Sequence, residues 1–364
     1  MRSSVPIERV SVESYKIPTD QPESDGTYEW DSTTIVIVTI DAGGKQGRGY
    51  TYANNETGEL IAKTLQKIIK GADALSPRAI YLSMWRQVRN LGRPGICSMA
   101  ISAVDCAVWD LKARLLGIPL VTLLGQVRTG ATVYGSGGFT SYTDSRLAEQ
   151  LSKWVEQGIH SVKMKIGCDA DRDIERVRCA RKAIGSDAGL YVDANGAYTA
   201  KQSLSQAERF AEMGVCWFEE PVSSDDLSGL RLIRDRAPTG MDIAAGEYGY
   251  DIFYFNRMLS AGAVDVQQAD ITRCGGITGF LQVAALCQAY NVPLSGHTAP
   301  AQHAHAACAV EIFKNLEYFH DHVRIERMLF DGLPELVNGE LQPDLSRPGN
   351  GLILKHADAQ EFAA

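Results

Sequence analysis

The sequence predicts an α/β protein in which a parallel β/α barrel follows a smaller α+β domain. Short apolar runs alternate with amphipathic segments over residues 159–317, and this alternation is typical of parallel βα units. Polar or charged residues also end one apolar run after another, at intervals of roughly 20 to 30 residues. Because the C-terminal ends of all barrel strands meet at one mouth, where catalytic groups sit, these residues are expected to converge there.

The N-terminal part predicts three antiparallel strands and three helices. The strands are expected at residues 7–15, 33–40 and 47–52, where β-branched residues alternate with polar ones. The stretch between the first two, residues 19–31, is too polar for a core and is interpreted as a long loop that covers a binding site. Helices are expected at residues 56–69, 77–90 and 98–116, the last ended by Gly117.

The barrel is expected to begin near Ala131. Its further strands are predicted at residues 159–167, 190–195, 215–221, 243–247, 264–270, 292–297 and 316–317. The helices between them are predicted at residues 169–184, 200–213, 225–236, 251–261, 277–290 and 302–313. A segment rich in Pro and Gly, residues 331–351, follows and is expected to pack back on the first domain.

Composition limits the kind of partner. The 364 residues are 45% hydrophobic and 22% charged, which is ordinary for a globular enzyme, and the net charge of -8 without a basic cluster disfavours nucleic acid. No apolar run approaches the ~18 residues of a membrane span, and the first residues lack the apolar core of a signal peptide. Eight scattered cysteines indicate buried thiols. We therefore expect a cytoplasmic protein without a membrane partner.

Three carboxylates from three consecutive strand ends predict a metal site. Asp193, Glu219 and Glu247 occupy these ends, with no Cys or His among them. Hard oxygen ligands without nitrogen or sulfur select Mg²⁺, with Mn²⁺ next. We therefore expect Mg²⁺ as the cofactor, with Mn²⁺ as an alternative.

Two opposed bases are predicted beside this metal. Lys163 and Lys165 are two residues apart and so share one face of a strand, while His297 ends a later run with Asp270 one unit before it to orient its ring. A divalent cation between two bases suits removal of a proton α to a carboxylate through an enediolate. Lysine has an unperturbed pKa of ~10.4. Lys165 would act as a base if Lys163 and the metal lowered its pKa.

Together these motifs resemble those of the enolase superfamily, in its mandelate racemase subgroup. The matching motifs are Lys163-Met164-Lys165, Asp193-Ala194-Asn195, Glu219-Glu220-Pro221, Gly246-Glu247 and the pair Asp270 with His297. The resemblance implies a (β/α)7β modified TIM barrel at residues 129–325. It also implies an α+β capping domain at residues 1–128, with specificity loops near 17–32 and 48–56, completed by residues 326–364.

The same resemblance implies roles for individual residues. Lys163 would contact the substrate carboxylate, Lys165 and His297 would be the acid/base pair, and Glu317 would donate a hydrogen bond to the carboxylate. Candidate substrate contacts are Asn195, Tyr28, Trp30, Tyr50 and His322.

The polar character of the covering loops favours a polyhydroxy acid as the small-molecule carboxylate substrate. We therefore expect an acid-sugar dehydratase that forms a 2-keto-3-deoxy acid. Racemisation or epimerisation of a 2-hydroxy acid is the alternative, and a non-catalytic binding protein is a third hypothesis that the intact motifs disfavour. A homo-oligomer is expected.

Two further patterns have plainer interpretations. The glycines at 135–138 and 275–276 are not followed by a Lys-Ser/Thr pair, so they favour tight turns over a phosphate site. His303 with His305, and His320 with His322, have the spacing of zinc ligands in amidohydrolase barrels. Those barrels use the pair on the first strand, and here both pairs come late in the chain. A zinc hydrolase is therefore disfavoured.

Overall fold

A computed structural model describes residues 4–364. The first domain contains a three-stranded antiparallel sheet of β1 (Arg9–Ser24), β2 (Glu29–Ala42) and β3 (Lys45–Tyr52), in that order. The expected loop at residues 19–31 is instead the tip of a β-hairpin, in which Glu23 pairs with Trp30 across an irregularity that begins after Pro18. The prediction of a loop was wrong because the barrel supports this polar hairpin: the Ser24 hydroxyl lies 2.6 Å from that of Thr140.

The three predicted helices of the first domain lie at the expected positions, and a short helix that was not predicted follows them. The helices are α1 (Asn55–Leu60), which continues through a π-helical turn (Ile61–Leu65) into α2 (Gln66–Ile69), then α3 (Pro77–Gln87), α4 (Ile96–Leu116) and the short α5 (Leu120–Leu124). The long helix α4 packs so closely against β3 that a residue with a Cβ would not fit at position 49 of the strand. A Cβ added to Gly49 would lie 2.3 Å from the carbonyl oxygen of Ala103. This contact fixes the sheet against the helix layer.

The second domain is a closed barrel of eight parallel strands, as expected. The strands are β4 (Ala131–Gly137), β5 (Ser161–Lys165), β6 (Gly189–Asp193), β7 (Val215–Glu219), β8 (Asp242–Ala245), β9 (Val266–Ala269), β10 (Leu294–Gly296) and β11 (Phe313–Phe319). The helices between them are α6 (Asp144–Glu156), α7 (Ala170–Ile184), α8 (Ala200–Ala211), α9 (Leu227–Arg234), α10 (Ile252–Ser260), α11 (Gly276–Tyr290) and α12 (Pro300–Ala307). Seven βα units followed by a final strand form the (β/α)7β arrangement.

Two boundaries near the end of the barrel differ from the prediction. The helix expected at residues 302–313 ends at Ala307, and Phe313 already begins the last strand. A further helix, α13 (His320–Leu329), follows this strand directly. Its start was missed because no loop separates strand from helix, and its polar first residues resemble a strand end.

The C-terminal segment contacts both domains, so the expectation that residues 331–351 pack on the first domain was only partly right. Leu341 pairs with Ala131 of the barrel strand β4, whereas residues further along the segment reach the first domain. The segment contains β12 (Phe330–Asp331), β13 (Glu335–Val337), β14 (Glu340–Gln342), β15 (Ile353–Leu354), α14 (His356–Ala359) and a 3-10 turn (Gln360–Phe362). Leu352 and Leu354 share one apolar cluster with Tyr15, Ile17 and Ile35 of the first domain. Only the exact domain bounds stay a prediction.

Two sequence expectations concern the whole chain. Among residues 4–364, no helix combines the length and apolar character that a membrane crossing requires. All eight cysteines are free thiols, and five of them are buried.

Candidate active site

The three predicted metal ligands come together at the barrel mouth. Asp193 and Glu219 end β6 and β7 and are paired across these strands, and Glu247 follows β8. One carboxylate oxygen of each lies within 4.8 Å of the others, and all three side chains are buried. The Oε2 atom of Glu247 has no hydrogen-bond partner among residues 4–364. A buried, oxygen-only set with an unsatisfied carboxylate oxygen fits Mg²⁺.

The shifted pKa of one of these carboxylates also indicates that the cluster would be stabilised by a cation. Burial, and next the charge of Asp193, raise the pKa of Glu219 to about 8. Buried carboxylates this close repel one another unless positive charge lies between them. The chain supplies part of that charge itself, through two lysines.

Lys163 is fully buried among the carboxylates. Its ammonium group bonds to Glu219 and lies 2.8 Å from Glu317 Oε1 and 3.3 Å from Asp193 Oδ2. Burial alone lowers the pKa of Lys163, but the charges of Glu219 and Glu317 outweigh burial and raise it well above its ordinary value. Lys163 is therefore a fixed positive charge beside the triad.

Lys165 lies next to Lys163 on the cavity side. Its Nζ is 2.5 Å from Asp193 Oδ2. Burial lowers the pKa of Lys165, but the Asp193 carboxylate outweighs burial and raises the pKa above its ordinary value. Lys163 alone therefore does not lower the pKa of Lys165, because the Asp193 carboxylate has the larger effect. A lowered pKa with Mg²⁺ on Asp193 stays a prediction.

His297 forms the expected pair with Asp270. Its Nδ1 lies 2.9 Å from Asp270 Oδ2, and Thr272 holds the other carboxylate oxygen through its backbone N–H and its hydroxyl, both at 2.7 Å. The Nε2 atom of His297 faces Glu247 at 3.4 Å and Glu317 at 3.5 Å. Burial lowers the pKa of His297, but these carboxylates outweigh burial and raise it.

Glu317 accepts hydrogen bonds in this structure. The Ser136 hydroxyl donates to it at 2.6 Å and the backbone N–H of Thr298 at 3.1 Å. Burial raises the pKa of Glu317, but Lys163 and then His297 outweigh it and hold the pKa at about 2. The donor role that the resemblance implies requires a protonated Glu317, and it stays a prediction for the substrate complex.

Strained backbone lies at the same rim. Asn195, Glu220, Thr298 and Ala299 have positive φ angles of 45°, 38°, 50° and 41° although none is glycine. Each such residue costs about 1–3 kcal/mol and is retained where surrounding contacts hold it. One such contact is the bond from Thr298 N–H to Glu317. The strain turns the chain sharply after β6, β7 and β10, where the functional side chains lie.

A cavity of about 340 Å³ opens between these groups and the hairpin. Lys165, Glu247, His297 and Glu317 lie on its barrel side. Four of the five candidate substrate contacts also line it, namely Asn195, Tyr28, Trp30 and His322.

The fifth candidate substrate contact, Tyr50, does not line this cavity. Its side chain is buried between the two domains, and its hydroxyl donates to Glu326 Oε1 at 2.5 Å. Tyr52 lines the cavity instead, and its ring stacks on His322 with 3.4 Å between the ring centres.

Sequence reasoning missed several residues of the wall. Arg273 was not predicted to line the cavity, but it does so, with Nη1 3.5 Å from Glu247 Oε1 and Nε 3.4 Å from Asp270 Oδ2. Its guanidinium also lies 5.6 Å from the ring centre of Tyr248. The sequence feature that could have identified Arg273 was its position three residues after Asp270, close to a strand end.

The late histidine pairs form no joint zinc site in the described chain. His303 and His305 are buried in α12, where they accept hydrogen bonds from the N–H groups of Ile271 at 3.0 Å and Val121 at 3.1 Å. His320 bonds to Asp20 at 3.0 Å, whereas His322 lines the active-site cavity.

Known proteins match this chain along almost its whole length. Residues 15–125 match the N-terminal domain of mandelate racemase and muconate lactonizing enzyme, and residues 146–359 match the enolase C-terminal domain-like family. The chain therefore belongs to the mandelate racemase/muconate lactonizing enzyme family of the enolase superfamily, and it is an enzyme of that superfamily.

Individual relatives have different activities. A 3,6-anhydro-alpha-L-galactonate cycloisomerase of Streptomyces coelicolor is 33% identical, over 96% of this chain and 97% of its own length. A mandelate racemase/muconate lactonizing enzyme-like protein of Rubrobacter xylanophilus has a crystal structure with a TM-score of 0.97 and 53% identity, over 99% and 100% of the two chains.

A third relative was solved with its metal. L-talarate/galactarate dehydratase of Salmonella typhimurium, liganded with Mg and L-lyxarohydroxamate, has a TM-score of 0.90 and 27% identity, over 100% of this chain and 94% of its own. Relatives thus include both acid-sugar dehydratases and cycloisomerases.

Proposed function

We propose that this enzyme removes the proton α to the carboxylate of an acid sugar and then eliminates the hydroxyl group at the next carbon. The product is a 2-keto-3-deoxy acid. The proposal is based on the residues that line the cavity. Lys165 and His297 flank the metal triad, and the facing wall carries hydroxyl and amide groups from Ser32, Thr33 and Asn54. Such a wall offers hydrogen bonds to a polyol.

Each residue of the site has a role in this reaction. Lys163 would hold the substrate carboxylate, and Lys165 in its neutral form would take the proton from C2. A Mg²⁺ ion bound by Asp193, Glu219 and Glu247 would stabilise the negative charge of the enediolate. His297 would give the proton on Nε2 to the C3 hydroxyl, so that the C3–O bond breaks and water leaves. The resulting enol becomes the 2-keto acid.

Asp270 determines which nitrogen of His297 acts. Because Nδ1 is bonded to Asp270, only Nε2 faces the cavity. The raised pKa of His297 favours the imidazolium, which is the form that donates a proton to a leaving group.

Cycloisomerisation is a second candidate, favoured by the 33% identity to the Streptomyces cycloisomerase. In a 3,6-anhydro acid the oxygen at C3 belongs to a ring. The same elimination would then open the ring without loss of water. Epimerisation would follow if no oxygen left and the second base returned a proton to the opposite face.

Substrate profiling in the presence of Mg²⁺ tests the proposal. Aldonic, aldaric and 3,6-anhydro acids, together with 2-hydroxy acids that lack a β-oxygen, would be assayed for 2-keto acid formation and for α-proton exchange in D₂O. We expect an acid sugar with a free C3 hydroxyl to be the best substrate. Faster turnover of an anhydro acid would favour cycloisomerisation. Equally fast turnover of a 2-hydroxy acid without a β-oxygen would refute elimination.

A further inference from the structure

A second cavity lies on the outside of the barrel, between α6 and α13. Its volume is about 410 Å³, and we refer to it as the cationic cavity. Its wall consists of Arg146, Gln150, Lys153, Trp154, Gln157, Tyr318, His320, Val323, Arg324, Arg327 and Met328. Four of these residues carry a positive charge, and none of these eleven lining residues is acidic.

The positive charges of the cationic cavity are only partly neutralised. Arg146 lies 3.4 Å from Glu149 and 3.8 Å from Asp20, and Arg324 lies 2.6 Å from Asp321. Lys153 and Arg327 have no carboxylate within 4.0 Å among residues 4–364. A concave wall with excess positive charge concentrates field lines and attracts anions.

A buried amide supplies the second, independent indication of a ligand. Gln150 is only 5% exposed, and its Oε1 accepts a hydrogen bond from Gly138 N–H at 2.7 Å. That bond uses Oε1, so Nε2 is the remaining donor of this residue, which is among those that line the cavity. Nε2 has no partner among residues 4–364. A buried donor without a partner destabilises the folded protein, and an anionic oxygen would satisfy it.

We propose that the cationic cavity binds a small oxyanion with at least two negative charges. The guanidinium groups and Lys153 would hold its phosphate or carboxylate oxygens, and Gln150 Nε2 would donate to one of them. The site adjoins the hairpin, because Arg324 also donates to the carbonyl of Pro18 at 2.5 Å. An anion bound here would therefore share a wall residue with the base of the hairpin.

Isothermal titration calorimetry of the full-length Mg²⁺-loaded enzyme tests this proposal at constant ionic strength. The probes are inorganic phosphate and the tricarboxylate tricarballylate, and the tighter of the two identifies the preferred oxyanion. Gln150→Glu keeps the acceptor for Gly138 but replaces the free donor by a negative charge. We expect it to weaken binding at least tenfold, and Lys153→Gln to weaken binding severalfold.

Lys182→Gln is the matched control, because Lys182 is an exposed lysine near the end of the next helix, α7. It should bind like the wild type. Should Gln150→Glu not fold, Arg327→Gln replaces it with the same expectation. The proposal is overturned if the wild type shows no saturable binding, or if Gln150→Glu, or Arg327→Gln in its place, binds as tightly as the wild type.

Discussion

The barrel mouth and the hairpin above it face the same cavity but are built differently. At the mouth, Lys163 and Glu219 are fully buried and paired with other charged groups. In the hairpin, the side chain of Tyr28 is 69% exposed, and the indole N–H of Trp30 donates a hydrogen bond to Glu23 Oε2 at 2.8 Å. Buried charges held by one another cannot change position without large cost, whereas an exposed hairpin side chain can. We therefore expect the mouth to determine the chemistry and the hairpin to influence the choice of substrate.

The largest expected effect is loss of the metal site. Glu219→Gln removes one anionic ligand from the mouth, and the stabilisation of the enediolate is worth several kcal/mol. We expect kcat to fall about 10³-fold or more. Mg²⁺ binding by calorimetry and kcat would be measured together, with circular dichroism to verify the fold. Wild-type turnover after exhaustive EDTA treatment would contradict a catalytic metal.

The next effect separates the two acid/base groups. His297→Asn should reduce elimination by about 10²- to 10⁴-fold while α-proton exchange in D₂O continues, because Lys165 still removes the proton. Lys165→Ala should lose both activities. Proton NMR of the substrate measures exchange, and a keto acid assay measures elimination. The opposite pattern would make His297 the base.

A smaller effect is expected in the hairpin. Tyr28→Ala removes an exposed ring that lines the cavity, so the preference between acid sugars should change, with KM raised about tenfold and exchange retained. Tyr290→Ala is the control, because Tyr290 is also exposed but lies at the end of α11. Loss of exchange in Tyr28→Ala would place the hairpin in the chemistry and remove the distinction between the two regions.

The smallest effect concerns the contact between the domains. Burial raises the pKa of Glu326 to about 8, although hydrogen bonds from Tyr50 and Ala301 and the charge of Arg327 act in the opposite direction. The folded protein thus keeps a proton that the unfolded chain releases near pH 4.3. This group makes the free energy of unfolding fall as pH rises from about 4.3 to about 8.

Glu326→Gln removes that dependence. We expect its Tm at pH 8 to exceed that of the wild type by about 2 °C or more, with no difference at pH 4. Tyr50→Phe should lower Tm without changing KM, because Tyr50 lies outside the cavity. Thermal melts at several pH values measure both. A change of KM in Tyr50→Phe would indicate that Tyr50 contacts the substrate after all.

The sequence alone determined the order of elements and the residues at the strand ends. Parallel strands place their C-terminal ends at one mouth, so Asp193, Glu219 and Glu247 converge wherever the chain alternates strand and helix at this period. The pair of Asp270 and His297 follows from the same rule, because it spans neighbouring strands β9 and β10. Local pattern is sufficient for both.

Only the tertiary structure decided which neighbour each side chain meets. Tyr50 and Tyr52 are two residues apart in β3 and so share one face, and the strand pattern does not say which of the two reaches the cavity. The raised pKa of Lys165 depends on a 2.5 Å approach to Asp193 from another strand. The tip of the hairpin contacts the barrel through Ser24 and Thr140, which are far apart in sequence. Such contacts join residues far apart in sequence, and their energies depend on distance and burial, which local pattern does not contain.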